Sequence, residues 1–377
     1  MQDRIRGDAL NPFPWYTLMR EEHPVYYHPQ YHFWQVFRYD DVQRVLSEHA
    51  SFSSAFGDNG PLSSSLISMD PPRHRQLRNI VTQAFTPRSV AQLTERITAI
   101  INTLLDQVAA TGQMDIIDDL SYPLPVIVIA EMLGIPREDR ERFKLWSDAM
   151  IGASYPEGGN PQADMSMYFL NMIQQRSRER KDDLISALLD AQIDGEHLNQ
   201  LELLGFCILL LVAGNETTTN LIGNALLCFD EHPETMEQLR AEPALIPGAI
   251  EEVLRYRSPV QYMYRTAVAD IVIRGQGIRT GQTVLARIGS ANRDAAQFPD
   301  ADRFDIRRTP NRHIAFGHGI HFCLGAPLAR LEAKIALTML LERFHDIKRI
   351  AGVPLEAVGS AGSDLVFGVK HLPVTFR

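Results

Sequence analysis

The residues best equipped for chemistry lie in Phe316-Gly317-His318-Gly319-Ile320-His321-Phe322-Cys323-Leu324-Gly325. Cys323 stands just before a helical stretch, where a helix N-terminus and free backbone N–H groups favour a thiolate. Gly317, Gly319 and Gly325 let the backbone lie against something flat and bulky, or turn with positive φ. A cysteine on such a loop can present its sulfur to a haem iron. Two plainer accounts compete. A lone cysteine in a soluble chain is most often an inert buried hydrophobe, and Cys207 and Cys228 on the long apolar helix are read that way. His313, His318, His321 and Cys323 are also zinc-ligand types. Their spacing matches no common zinc module, and zinc explains neither the glycines nor Phe316, so haem is favoured.

Other positions could serve such a group. A haem carries two propionates, whose burial demands cationic or hydrogen-bonding partners. His74 and Arg78 are four apart on a helix starting after Asp70-Pro71-Pro72 and share a face; taken alone, with Arg73 and Arg75 beside them, they read as a solvated basic face. Ala213-Gly214-Asn215-Glu216-Thr217-Thr218 interrupts an apolar helix with polar groups. The Thr217 hydroxyl can bond back to the Ala213 carbonyl, which bends or opens a helix, and Gly214 eases such distortion. An opened turn is expected there, making room for dioxygen and water. The alternative is a polar patch at a helix contact. Glu252 and Arg255, at i and i+3, read either as a surface ion pair or as a structural brace.

These residues need elements to hold them. Val25–Tyr27 and Phe33–Phe37 read as a hairpin, followed by a short helix through Leu46 capped by Asp40 or Asp41. Residues 51–68 read as a long loop, and Asp70 as the cap of the next helix. Helical periodicity is expected over 89–110, 123–133, 137–151, 164–179, 181–191, 197–229, 233–240, 245–257 and about 326–344. The 197–229 segment would span roughly 50 Å and cross the middle of the protein. Strands are expected at 268–273, 283–288, 365–369 and 373–376. The fold class is mainly α with small β portions (α+β), in one domain over 1–377.

Composition agrees with an enzyme rather than a nucleic-acid binder. Of 377 residues, 37 are Lys or Arg and 46 are Asp or Glu, giving a net charge of −9, the wrong sign for bulk nucleic-acid binding. Three cysteines build no disulfide framework, which points to a reducing, cytoplasmic setting. Met1–Leu10 has no apolar core and does not read as a signal peptide. Leu201–Val212 is shorter than the roughly 20 residues a membrane span requires, so a buried helix is expected.

The loop around Cys323 resembles the haem-binding segment of the cytochrome P450 family, Phe-x-x-Gly-x-His-x-Cys-x-Gly, with Phe316, Gly319, His321, Cys323 and Gly325 in place. The resemblance covers nearly the whole chain and implies the P450 fold, with a long helix over a buried haem b. It implies Cys323 as the proximal iron ligand. Asp70-Pro71-Pro72-Arg73-His74-Arg75-Gln76-Leu77-Arg78 resembles the family's propionate segment, and Arg265 its strand arginine. With His321, these make His74, Arg78 and Arg265 a propionate-neutralising set. Further cofactor contacts are implied for Ala213, Gly214, Phe316, Gly317 and Gly325. Glu216-Thr217 resembles the acid–threonine pair that relays protons for oxygen activation. Glu252 and Arg255 become a brace beneath the cysteine loop, joined by Arg303.

The implied activity is monooxygenation of a small-to-medium hydrophobic substrate, such as a fatty acid, terpenoid or steroid, using O2. Electrons would come from a separate ferredoxin- or flavodoxin-type donor with an NAD(P)H reductase, docking on a cationic patch drawn from Arg312, Arg330, Lys334, Arg73 and Arg75. Pocket candidates are Phe56, Leu62, Leu66, Leu209, Val260, Met263 and Phe367, and Pro156–Pro161 is a candidate lid. Neither a membrane nor a nucleic acid is expected as a partner. A peroxide-driven hydroxylase and a non-catalytic haem sensor are the alternatives, and the Glu216-Thr217 pair argues against both.

Overall fold

The structure is a computed structural model describing residues 8–55, 64–83, 85–150, 155–156, 159–192, 195–358 and 364–377. Its elements run α1 (Phe13–Glu22), β1 (Val25–His28), β2 (Phe33–Val36), α2 (Tyr39–Ser47), β3 (Phe52–Ser53), α3 (Arg73–Thr82), α4 (Pro87–Ala91), α5 (Thr94–Val108) and β4 (Gln113–Asp115). A π-helical turn over Ile116–Ser121 leads to α6 (Pro123–Met132), α7 (Arg140–Met150), α8 (Pro161–Arg178), α9 (Leu184–Asp190), α10 (Gln200–Glu231), α11 (Glu234–Ala241) and α12 (Ile246–Tyr256). Then come β5 (Met263–Ala267), β6 (Ile271–Ile273), β7 (Gln276–Ile278), β8 (Thr283–Ala286), α13 (Ile288–Ala291), α14 (Ala326–Arg343), β9 (Lys348–Arg349) and β10 (Pro373–Thr375). The mainly helical reading with small sheets holds.

The helix α10 organises everything else. A capping box starts it: the Asn199 side chain accepts from the N–H groups of Leu201 and Glu202, and Glu202 accepts from the Asn199 N–H at 2.9 Å. The same Glu202 carboxylate takes two hydrogen bonds from Arg73, at 2.7 and 2.6 Å, so the cap also ties α3 to α10. The first half of α10, Leu203 to Leu211, packs in a core with α6, α8 and α9. Its second half, from Leu221, packs in another core with α5, α12 and α14. The polar cluster at 213–217 lies where the helix passes from one core to the other. Length and composition alone would let α10 cross a membrane; here it is the packed central helix.

Strand order in the larger sheet is β1-β2-β8-β5-β3, with β2 and β8 parallel and the other pairs antiparallel. In β5, Met263 and Arg265 fall two apart and therefore share a face.

Several local expectations need correction. The chain at 89–110 is two helices, α4 and α5, rather than one. The helix α2 starts after Arg38 with no side-chain cap of its own; the Asp294 carboxylate accepts from the Tyr39 N–H at 2.9 Å instead. Asp70 does not cap α3, whose first turn follows Pro72. It accepts from the Ser54 N–H at 3.0 Å and from the Ser53 hydroxyl, fastening β3 to the start of α3. Of the strand expected at 268–273 only β6 (271–273) forms, and β5, which carries Arg265 in its ladder with β8, is an additional strand before it. Around 365–369 the chain makes isolated bridges, Val260 with Val366 and Ala357 with Val369.

Candidate active site

The brace beneath the cysteine loop begins with two charges that cannot stay apart. Glu252 and Arg255 are fully buried and joined by two hydrogen bonds of 2.8 Å. Every remaining valence is used: Arg255 donates to the backbone carbonyls of Asn292, Ala301 and Arg303, and Glu252 accepts from the Asp305 N–H, Arg308 and Asn311. A buried pair so satisfied pins the irregular segment 292–311. Arg303 contributes its carbonyl, not its guanidinium; the third charged side chain is Arg308, at 3.2 Å. The charged partner lies five residues beyond the expected Arg303.

On this base sits the Cys323 loop. Ile314 N–H bonds to the Asn292 side chain at 2.8 Å, and the Cys323 N–H returns to the Phe316 carbonyl at 2.9 Å. Gly317 and Gly319 take φ of +74° and +73°. A Cβ on Gly319 would also meet Ser47 Cα at 2.8 Å, so both the turn and the approach to α2 require glycine. Arg330, held to Glu251 by bonds of 2.7 and 2.8 Å, covers the Phe316 ring at 4.5 Å. Cys323 reaches the cavity at the N-terminus of α14. Burial raises its thiol, while the N–H groups of Gly325 and Ala326 and the Arg78 charge pull the other way.

The cavity holds about 260 Å³ open to water-sized molecules and brings together what the sequence scattered. Arg78, Ala213, Gly214, Thr217, Arg265, Phe316, Gly317, His321, Cys323 and Gly325 all line it. His74 stands directly behind, its ring 4.2 Å from that of His321. Thr217 donates to the Ala213 carbonyl at 2.8 Å, as expected. The expected opening of the turn is absent: α10 is assigned helical without a break, because threonine back-bonding adds an acceptor contact without removing the helical one. Glu216 is off the cavity wall but mostly buried, and burial pushes its pKa up to about 7.

The pocket candidates divide. Leu66, Leu209, Val260 and Met263 line the cavity. Phe367 does not; it is buried against Phe13, with ring centroids 5.7 Å apart, and its N–H donates to the Pro259 carbonyl at 2.8 Å. Phe56 and Leu62 lie outside the described residues, as do 157–158 of the lid candidate. Sequence reasoning missed Phe85, Ile129, Met132 and Phe206. The helix α6 is apolar all round, so no stripe marked Ile129 as facing a cavity.

The basic cluster tests whether a haem fits. His74 is buried and His321 half-buried, and each has a buried Nε2 without a hydrogen-bond partner. Arg265, 4% exposed, donates to the carbonyl of its own neighbour Tyr264 at 2.7 Å, and Arg78 to the Phe322 carbonyl at 2.6 Å. Burial lowers all four: His74 to about 4, His321 to about 3, Arg265 to about 10, and Arg78 in the same direction. Two arginines and two imidazoles with unpartnered Nε2 atoms, with Asp70 the nearby carboxylate acting on His74, Arg265 and His321, can take a further acidic group, and two propionates would supply it. A largely apolar cavity, a cysteine sulfur at a helix N-terminus and this cluster fit a haem.

Fold and site together define a haem-thiolate protein. The sequence profile of the Cytochrome P450 family matches residues 160–348. Cytochrome P450 109 of Bacillus spizizenii is 46% identical, over 98% of this chain and 93% of that protein. Cytochrome P450 monooxygenase PikC of Streptomyces venezuelae is 39% identical, over 98% and 92%. The crystal structure of CYP109E1 from Bacillus megaterium in complex with testosterone superposes with a TM-score of 0.91 at 42% identity, covering 97% of this chain and 98% of that one. The chain belongs to the cytochrome P450 family, and is accordingly a haem-iron monooxygenase.

Proposed function

We propose that this enzyme inserts one oxygen atom from O2 into a small-to-medium hydrophobic substrate of the fatty-acid, terpenoid or steroid class, acting as one domain over 1–377. The observation that carries the reading is the convergence, in one apolar cavity, of Cys323 with Arg78, Arg265 and His321, backed by His74, the two imidazoles each with an unpartnered Nε2. When bound, the haem supplies redox chemistry at iron, with thiolate donation favouring O–O cleavage. The chain's own residues do the rest. Cys323 provides the sulfur, held by the Phe316 carbonyl and the first N–H groups of α14. Arg78 and Arg265 would neutralise the propionates, and His74 and His321 would donate hydrogen bonds to them. Thr217 presents a hydroxyl to the cavity, and Glu216, with its raised pKa, holds a proton one residue away that it can pass to that hydroxyl through water. Ala213 and Gly214 keep the helix surface low where the cofactor and oxygen must approach.

The steroid in the CYP109E1 complex supports a bulky apolar substrate, as does the wall of Leu66, Leu209, Val260 and Met263. Electrons come from a separate ferredoxin- or flavodoxin-type protein and its NAD(P)H reductase. Arg330 and Arg73 are committed to Glu251 and Glu202, so Arg75, Arg312 and Lys334, all exposed, form the docking patch. The Glu216-Thr217 pair disfavours a peroxide-driven or sensor role.

The test is the absorption spectrum of the reduced, carbon-monoxide-treated protein. A strongly red-shifted Soret band is expected, and Cys323→Ser should abolish both that band and turnover. A variant that keeps its colour, spectrum and turnover refutes the assignment.

A further inference from the structure

We infer that Arg330 is a positioning residue that sets how readily the bound haem accepts an electron, by holding one fixed positive charge behind the cysteine loop. Cys323 as the iron ligand is the assignment on which this rests. The helix α12 carries two adjacent acids with different tasks. Glu252 holds the 292–311 segment, while Glu251 ties α12 to α14 and to the approach of the cysteine loop. Glu251 Oε1 accepts from Arg330 Nε at 2.7 Å and Oε2 from Arg330 Nη2 at 2.8 Å, a fork that fixes the guanidinium plane. The same Oε2 lies 3.1 Å from His313 Nε2. His313 Nδ1 accepts from the Ala315 N–H at 3.2 Å, so the ring donates to Glu251 through Nε2. Burial pushes the Glu251 carboxyl up, but the bonds from Arg330 and His313 carry it down to about 2, so the clamp is charged at neutral pH. Held in this way, the Arg330 guanidinium stands over the Phe316 ring, 4.5 Å from its centroid. Phe316 lines the cavity, and its carbonyl accepts the Cys323 N–H at 2.9 Å. Arg330 is not among the described residues of that wall, so it acts across Phe316 and the loop, whereas Arg78 and Arg265 stand on the wall itself. Burial raises the Cys323 thiol, and Arg330 joins Arg78 and the loop N–H groups in pulling against it.

One-electron reduction adds a negative charge beside the sulfur and moves no proton. A fixed positive charge nearby favours the reduced state, and its removal disfavours it. The Glu251 carboxylate, left without its partner, pushes the same way. Seven residues at the helical rise put Arg330 on the order of 10 Å from Cys323. At that distance, with an effective dielectric constant of about 20, one charge moves the reduction equilibrium about tenfold, or about 59 mV for one electron. An ion pair that served only to hold α14 against α12 would leave the potential where it is.

The experiment titrates the haem-loaded enzyme anaerobically with dithionite beside a reference dye and reads the ferric-to-ferrous ratio from the Soret band. Arg330→Gln should be about tenfold harder to reduce than wild type, with haem content and the reduced carbon-monoxide spectrum unchanged. Arg343→Gln removes an arginine of the same helix from its own pair with Asp106. Far along α14 from the loop, it should match wild type within about twofold. Equal potentials in wild type and Arg330→Gln overturn the inference. An equal fall in Arg343→Gln does so too, because overall charge would then be the cause. Should Arg330→Gln fail to hold haem, Arg330→His decides within a single protein. Its charge leaves as pH rises through about 6.5, so between pH about 5.5 and about 7.5 its potential should fall about tenfold further than that of wild type. Parallel profiles overturn the inference. Loss of haem from both variants overturns it as well, since Arg330 would then build the site rather than tune it. A wild type without the thiolate-type carbon-monoxide spectrum would refute the Cys323 assignment instead.

Discussion

Glu332 lies in the second turn of α14, on the cavity wall, 1% exposed and with Oε2 unpartnered. Burial pushes its pKa up to about 8 from the usual 4.5. The folded state therefore holds a proton that the unfolded chain has released across that interval. Stability from this group is fully present below pH 4.5 and is lost as pH rises through about 8. Glu332→Gln should remove a slope approaching about 1.4 kcal/mol per pH unit in that window, read as the difference between wild-type and variant in denaturant unfolding at several pH values. Thr217→Ala should act on chemistry rather than folding. It removes an exposed-side hydroxyl at the cost of one helix-surface bond, so the fold stays, while electron use uncouples from product and peroxide release rises several-fold. Equal coupling in wild-type and variant would count against the relay.

Elements carry the site by fixing where each side chain starts. The helix α10 depends on its cap: Asn199→Ala should cost about 0.5–2 kcal/mol in thermal or chemical unfolding. Its effect should extend to α3, because Glu202 both closes the capping box and anchors Arg73. The Glu252–Arg255 pair is more severe. Glu252→Ala leaves Arg255 charged, buried and unpaired, a change of about 3–5 kcal/mol, and should release the segment that carries the cysteine loop. The expected readout is loss of haem retention together with a lowered Tm; a variant that keeps both would show that the segment is held by other means. The α6 contribution follows a different logic. Its apolar residues face two sides at once, so they define the cavity wall without advertising it.

At the scale of the whole molecule, the net charge is −9, yet exposed Arg75, Arg312 and Lys334 remain available as the donor patch proposed above. If an acidic donor docks there, Lys334→Glu should raise the KM for the donor several-fold, flatten its dependence on salt and leave substrate binding unchanged, since rim charges act mainly on association. Two hydrophobic cores meeting along one helix also give the molecule its chemical asymmetry. The boundary between them is the place where polar residues of α10 can face a cavity without breaking either core.

The cysteine loop, the acid–threonine pair and the order of the basic residues were legible in the chain because each is a local pattern: glycines that permit one turn, spacings that fit one helix face. The helix boundaries were mostly legible for the same reason, since caps and periodicity act within a few residues. Tertiary structure alone decided that His74 lies against His321, that Arg308 rather than Arg303 reaches Glu252, and that Phe367 turns away while Phe85 and Phe206 turn in. Those outcomes depend on which distant segments share a buried space, and an apolar side chain or a buried charge accepts any partner that removes it from water. Local sequence sets what each residue can do; the choice of partner is made by the packing of the whole chain.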